Sequence, residues 1–116
     1  MTQYVLHDAG EDFSIFRFSN LGTIDINSAP RVKAEIRGYM DETPSNVIIN
    51  LEGVHFVDST GFGALISVLK TVKGAGKKLV LCNVSYEVKE LMDLMQLLTV
   101  FDVRENLEEA RKSLSN

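Results

Sequence analysis

Asp58-Ser59-Thr60 sets a carboxylate directly before two hydroxyls, with His55 three residues upstream of the acid and Gly61 and Gly63 just downstream. A hydroxyl beside an acid and a histidine is the raw material of nucleophilic catalysis, which needs a base, a group orienting that base, and an oxyanion hole. Only His7 and His55 are available as bases, and no Gly-x-Ser-x-Gly elbow is present. Hydrolase chemistry is therefore a poor fit. Two other roles remain. Asp58 or Ser59 can cap the helix that follows, with the glycines allowing close backbone packing. Alternatively, a hydroxyl at a helix start, at the carboxyl end of a strand, can be offered to another protein's chemistry.

The elements that must position these residues are readable from hydrophobic period. Val47-Ile48-Ile49-Asn50-Leu51 is a β-branched run suited to a strand buried on both faces. Phe62, Leu65, Ile66, Leu69 and Val72 then mark the inner face of a helix starting near Ser59 and stopping at Gly74-Ala75-Gly76. Upstream, Tyr4, Leu6, Phe16 and Phe18 alternate about a turn at Ala9-Gly10-Glu11-Asp12, which predicts a β-hairpin. Asn27 and Ser28 are capping candidates for a helix opening at Pro30, carrying Val32, Ile36, Tyr39 and Met40 inward and Arg31, Lys33, Glu35 and Arg37 outward. Thr43-Pro44-Ser45-Asn46 should end it. Downstream, Leu79–Cys82 predicts a buried strand and Val84–Leu98 a helix with Val88, Leu91, Met92, Met95 and Leu98 on one stripe. Val100–Val103 suggests a short strand, and Leu107, Ala110 and Leu114 a last helix.

The order β-β-α-β-α-β-α-(β)-α implies an α/β protein. A mixed central sheet of about four to five strands packs with about four helices, the hairpin antiparallel and the later strands parallel. A chain of 116 residues with 45% apolar and 24% charged residues fits one domain spanning 1–116. The formal charge of −4 argues against direct nucleic-acid binding. No apolar run approaches the roughly 18 residues of a membrane span. Met1-Thr2-Gln3-Tyr4 lacks the order of a signal peptide, so a cytoplasmic protein is expected. The lone Cys82 forbids an internal disulfide, and two separated histidines with one cysteine make no metal site. Gly74-Ala75-Gly76-Lys77-Lys78 follows a helix and precedes a strand, the reverse of a phosphate-binding loop, so no nucleotide cofactor is expected. The acidic composition and short chain make a monomer the simplest expectation.

The run from Val47 through Val54 and Phe56 to Asp58-Ser59-Thr60-Gly61-Phe62-Gly63-Ala64-Leu65 resembles the signature of STAS domains, the bacterial anti-sigma factor antagonists most of all. Gly22-Thr23-Ile24-Asp25 with Ala29-Pro30, and Gly76–Leu81 with the Val88–Leu98 helix, extend the resemblance over nearly the whole chain. It implies a STAS-like fold and a non-enzymatic, partner-switching role without cofactors. An anti-sigma factor with serine-kinase activity would bind the unmodified protein, releasing a sigma factor. Phosphorylation of Ser59 would abolish that binding, and a serine phosphatase would restore it. Asp25, Asp58, Thr60, Gly61, Phe62 and Gly63 would support or contact the partner. Ser59 is expected to be the acceptor over Thr60, whose hydroxyl, one residue deeper, is expected to bond backbone. Thr23 stands where the family usually has glutamate, a departure that implies a different kinase or weaker binding. The resemblance also admits an unphosphorylated STAS scaffold, or a partner subunit of a signalling or lipid-transport complex.

Overall fold

The side chains of the β-branched run divide by parity. Val47 and Ile49 join one apolar cluster and Ile48 another, so this strand is covered on both faces. The computed structural model describes residues 3–10, 12–40 and 45–115. Met1 and Thr2, the expected turn residue Glu11, and Thr43 and Pro44 of the expected helix stop lie outside them. In chain order the elements are β1 (Val5–Ala9), β2 (Phe13–Phe18), β3 (Thr23–Ile24), α1 (Ala29–Met40), β4 (Asn46–Asn50) and β5 (Phe56–Val57). There follow α2 (Ser59–Gly74), β6 (Leu79–Cys82), α3 (Tyr86–Leu94), β7 (Asp102–Arg104) and α4 (Leu107–Leu114).

The main sheet has strand order β1-β2-β4-β6-β7. The expected hairpin is antiparallel, with Val5 opposite Phe18. Every later pairing is parallel, Ile48 lying between Ile15 and Val80. The sheet is thus mixed, as the α/β reading required. On one face Phe16, Val47, Ile49, Leu79 and Leu81 pack against apolar residues of α1, α2 and α3. On the other, Ile15, Ile48, Val80 and Cys82 are covered by Ala110, Leu107 and Leu114 of α4. That division explains the strand sequences: residues covered on both faces need no polar alternation.

Several local expectations are corrected. Two short strands were missed: β3 and β5 pair in parallel as a separate ladder, Thr23 opposite Phe56 and Ile24 opposite Val57. Strands of two residues carry no period to detect. Tyr39 is not core; it is 38% exposed and stacks on His7 at 4.7 Å. Glu35 conversely turns inward, accepting the Val5 amide at 2.8 Å and the Arg31 Nε at 2.8 Å, which ties α1 to β1. Finally, α3 stops at Leu94, Gln96 adopts φ 58°, and the Leu97 amide donates to Met92 O at 2.7 Å. This left-handed C-terminal turn carries Leu97 into the core in place of Leu98 and leaves Met95 at the surface. Asn46, expected in the preceding loop, opens β4, and β7 starts two residues later than Val100.

Candidate functional site

The β3–β5 ladder brings the Ile24–Ser28 segment against the start of α2. Asp58 is the N-cap: its backbone is extended, and its Oδ1 accepts the Gly61 amide at 2.8 Å. Its Oδ2 accepts the Ile26 amide at 3.1 Å, and its own N–H donates to Ile24 O at 3.1 Å. One carboxylate thus closes the helix end and pins the neighbouring loop. Of the two capping candidates at this turn, the structure selects Asp58 and leaves Ser59 free.

Gly61 is the second necessity. A Cβ there would lie 2.1 Å from Ile24 O and 2.7 Å from Val57 Cγ1, so only glycine lets β3 pass over the first turn of α2. Gly63 is exposed, and a Cβ there would meet open space. Phe62 is 1% exposed and anchors α2 in the core, so it supports the site from beneath and offers no contact surface.

Asp25 organises the adjoining turn. Its Oδ1 accepts the Asn27 amide at 2.9 Å and the Ser28 amide at 3.2 Å, while its carbonyl accepts the Ala29 amide at 2.7 Å. Ser28, expected as a side-chain cap, closes the first turn of α1 through its carbonyl, to the Val32 amide. Its buried hydroxyl instead donates to Thr23 O at 3.1 Å and accepts from the Asp25 amide at 3.0 Å. Asn27 is exposed.

Ser59 occupies the first position of α2 and is exposed. Among the described residues its hydroxyl has no hydrogen bond, and it stands at the positive end of a 16-residue helix. Thr60 departs from expectation: it too is exposed, and no backbone group in the described residues holds its hydroxyl. It lines a shallow groove of about 260 Å³ with Ala29, Pro30, Lys33, Gly63 and Ala64. Ile26, 67% exposed, and Phe56, 43% exposed, stand on the segments flanking Asp58. Sequence reasoning missed both, as it missed Lys33. The pairing of β3 with β5, which gathers these residues, is a tertiary fact.

His55 packs on Gly22, where an added Cβ would lie 2.6 Å from Nε2, and it makes no hydrogen bond to Ser59. Among the described residues no cluster of three potential metal ligands occurs. Gly74 ends α2, Gly76 has φ 77°, and the Lys77 amide caps Val72 O, so the glycine-lysine stretch is a helix stop. Burial, and then Glu52, push the Cys82 thiol up to about 11, which leaves it an inert core residue. No helix among the described residues is long and apolar enough to cross a membrane.

An exposed serine, directly after a capping aspartate, at the junction of a short strand ladder and a helix lying on a mixed sheet, is a recognisable combination. The STAS domain matches residues 7–110, and the chain belongs to that family. The anti-sigma-B factor antagonist of Staphylococcus aureus is 26% identical over 87 residues, covering 75% of this chain and 81% of that protein. Among solved structures, an anti-sigma-factor antagonist (STAS) domain protein from Planctomyces limnophilus superposes with TM-score 0.88 at 19% identity, covering 97% of this chain and 98% of that one. An anti-sigma factor antagonist from Mycobacterium paratuberculosis gives TM-score 0.84 at 20% identity, covering 97% and 93%.

Proposed function

We propose that this protein is an anti-sigma factor antagonist that works by partner switching, with Ser59 as the switched residue. One observation carries the reading: the exposed, unbonded Ser59 hydroxyl at the start of α2, immediately after the capping Asp58. The unmodified protein binds an anti-sigma factor that is also a serine kinase and frees a sigma factor. Transfer of a phosphoryl group to Ser59 ends the complex, and a serine phosphatase resets it. The protein is substrate and binding module rather than enzyme, and its partners place it in the cytoplasm. The contact surface comprises Asp25, Asp58, Ser59, Thr60 and Gly63, joined by Ile26, Phe56 and Lys33; Gly61 and Phe62 hold it in shape from below.

The electrostatics suffice for such a switch. A phosphate on Ser59 adds about −1.5 to −2 charge next to Asp58. The N-terminus of α2 accommodates that charge in the free protein, so the fold is retained. At an interface the same charge, juxtaposed with like charge or left unpaired, costs several kcal/mol. Each 1.4 kcal/mol is about tenfold in affinity.

The test compares binding of the cognate kinase by Ser59→Ala and Ser59→Asp in titration calorimetry. Ser59→Ala should bind at least as well as wild type and resist phosphorylation, whereas Ser59→Asp should lose about tenfold or more. Equal binding by the two variants sinks the proposal. Phosphosite mapping by mass spectrometry decides between Ser59 and Thr60.

A further inference from the structure

The helix that Ser59 opens and the helix packed beside it carry a charge opposite to the rest of the chain. α1 and α2 hold Arg31, Lys33, Arg37, Lys70 and Lys73 against a single acid, Glu35. Their net charge of +4, in a chain of formal charge −4, leaves −8 on everything else. Glu35 and Arg31 are committed to each other, and Arg31 lies over the Tyr4 ring at 4.2 Å. Lys33 and Arg37 face the other way, along the seam between the helices. Lys33 shares its groove with Thr60, Gly63 and Ala64 of α2. One turn further along α1, Arg37 Nη2 donates to Ser67 Oγ at 2.8 Å and to Thr71 Oγ1 at 3.3 Å. Positions 33 and 37 fall on one face of α1, and positions 60, 63, 64, 67 and 71 on one face of α2. Among the described residues neither Lys33 nor Arg37 has a carboxylate within 4 Å. Arg37 is bonded only through Nη2 and only to neutral hydroxyls, which leaves Nε and Nη1 open to a carboxylate.

We propose that this seam docks an acidic segment of the protein partner that meets Ser59, Lys33 and Arg37 each taking one carboxylate. The two cations lie about 6 Å apart along α1, so the complement is a pair of carboxylates at that spacing, as four residues apart on a helix. A membrane is a poorer complement. Tyr39 is the one large apolar side chain that either helix exposes among the described residues, so little is available to enter a bilayer. An extended polyanion, lipid surface or nucleic acid alike, also runs past the seam onto the acidic remainder of the molecule. Continuity names the partner: the seam begins at Thr60, so a protein seated on Ser59 lies across it. That identity rests on the Ser59 reading, whereas the acidic complement does not. A phosphate on Ser59 then places negative charge at the head of the seam and opposes the carboxylates that the seam attracts.

An NMR titration of the full chain with an acetylated hexaglutamate peptide, at about 20 and 200 mM salt, tests the chemistry. Saturable shifts should centre on the amides of Lys33, Arg37, Thr60, Ser67 and Thr71, with affinity about tenfold weaker at the higher salt. Lys33→Glu should weaken peptide binding about tenfold. It should melt like wild type, since no ion pair among the described residues holds that side chain. Lys77→Glu, in the separate groove of Lys73, Lys77 and Lys78, should leave the titration unchanged. Shifts centred on Lys77 and Lys78, no saturation by about 10 mM peptide, or indifference to Lys33→Glu overturns the proposal. Co-sedimentation with phosphatidylserine vesicles that Lys33→Glu abolishes overturns it too, by assigning the seam to a membrane. In the calorimetric titration of the cognate kinase, Lys33→Glu should bind about tenfold more weakly than wild type, and equal affinity overturns the docking. The peptide titration contains no kinase, so its failure leaves the Ser59 reading intact. Equal kinase binding by Ser59→Ala and Ser59→Asp, conversely, leaves the peptide result standing.

Discussion

Asp58 uses both carboxylate oxygens structurally, one on the Gly61 amide and one on the Ile26 amide. Both contacts give it a positioning role, and its neighbour Ser59 is left exposed with no hydrogen bond among the described residues. Asp58→Ala should cost about 1–2 kcal/mol from the lost cap, a melting-point drop of several degrees by calorimetry. Because the Ile26 amide also loses its acceptor, hydrogen exchange at Ile26 should accelerate more than exchange in the middle of α2. Ser59→Ala removes no hydrogen bond among the described residues and should change stability by less than about 0.5 kcal/mol. The pair separates the two adjacent roles, positioning by the acid and presentation by the hydroxyl. The sequence already marked Asp58 and Ser59 as capping or functional, but not which did which. That division depends on the Ile26 amide, 32 residues upstream, having the second carboxylate oxygen as its acceptor.

At the scale of elements, the site depends on how closely β3 crosses the start of α2. The crossing distance is set at Gly61, where a Cβ would come within 2.1 Å of Ile24 O. Gly61→Ala should therefore destabilise by about 1–3 kcal/mol through overpacking, despite the better helix propensity of alanine. Its signature is local. The β3–β5 ladder should open, seen as faster hydrogen exchange at the Asp58 amide, which donates to Ile24 O, while the main sheet stays protected. Binding of the proposed anti-sigma partner should fall with it, because the Ile26 amide would no longer be held on Asp58 next to Ser59. Gly63→Ala, facing open space, provides the control and should leave stability nearly unchanged. The long elements β4, α2 and β6 were legible from period alone. The ends of α3 were not, since Gln96 at φ 58° is an unusual stop for a non-glycine residue and carries no sequence mark.

At the scale of the molecule, the sheet separates two apolar clusters of unequal size, the smaller sealed by α4. Cys82 sits in that smaller cluster, and burial raises its thiol from the ordinary 9.0 to about 11. The consequence for stability has a definite sign. Above about pH 9 the unfolded chain gives up the thiol proton while the native protein keeps it. The associated stabilisation is complete below pH 9 and is lost progressively as the pH climbs to about 11. Denaturation titrations should show this loss, and Cys82→Ala should flatten it. Ellman's reagent at pH 8 should react with Cys82 only when α4 lifts. Asn106→Ala, which removes the cap on the Glu109 amide, should therefore speed the reaction.

Chain chemistry alone determined the α/β order, the buried parallel strands and the Asp58-Ser59-Thr60 junction, because hydrophobic period and local capping are written in residues near one another. Only the tertiary structure decided that β3 lies across α2, that Asp58 rather than Ser59 caps, that Thr60 is open to solvent, and that Leu97 rather than Leu98 enters the core. Each of those depends on groups far apart in sequence meeting in space, and no local pattern encodes which distant amide or side chain will arrive there.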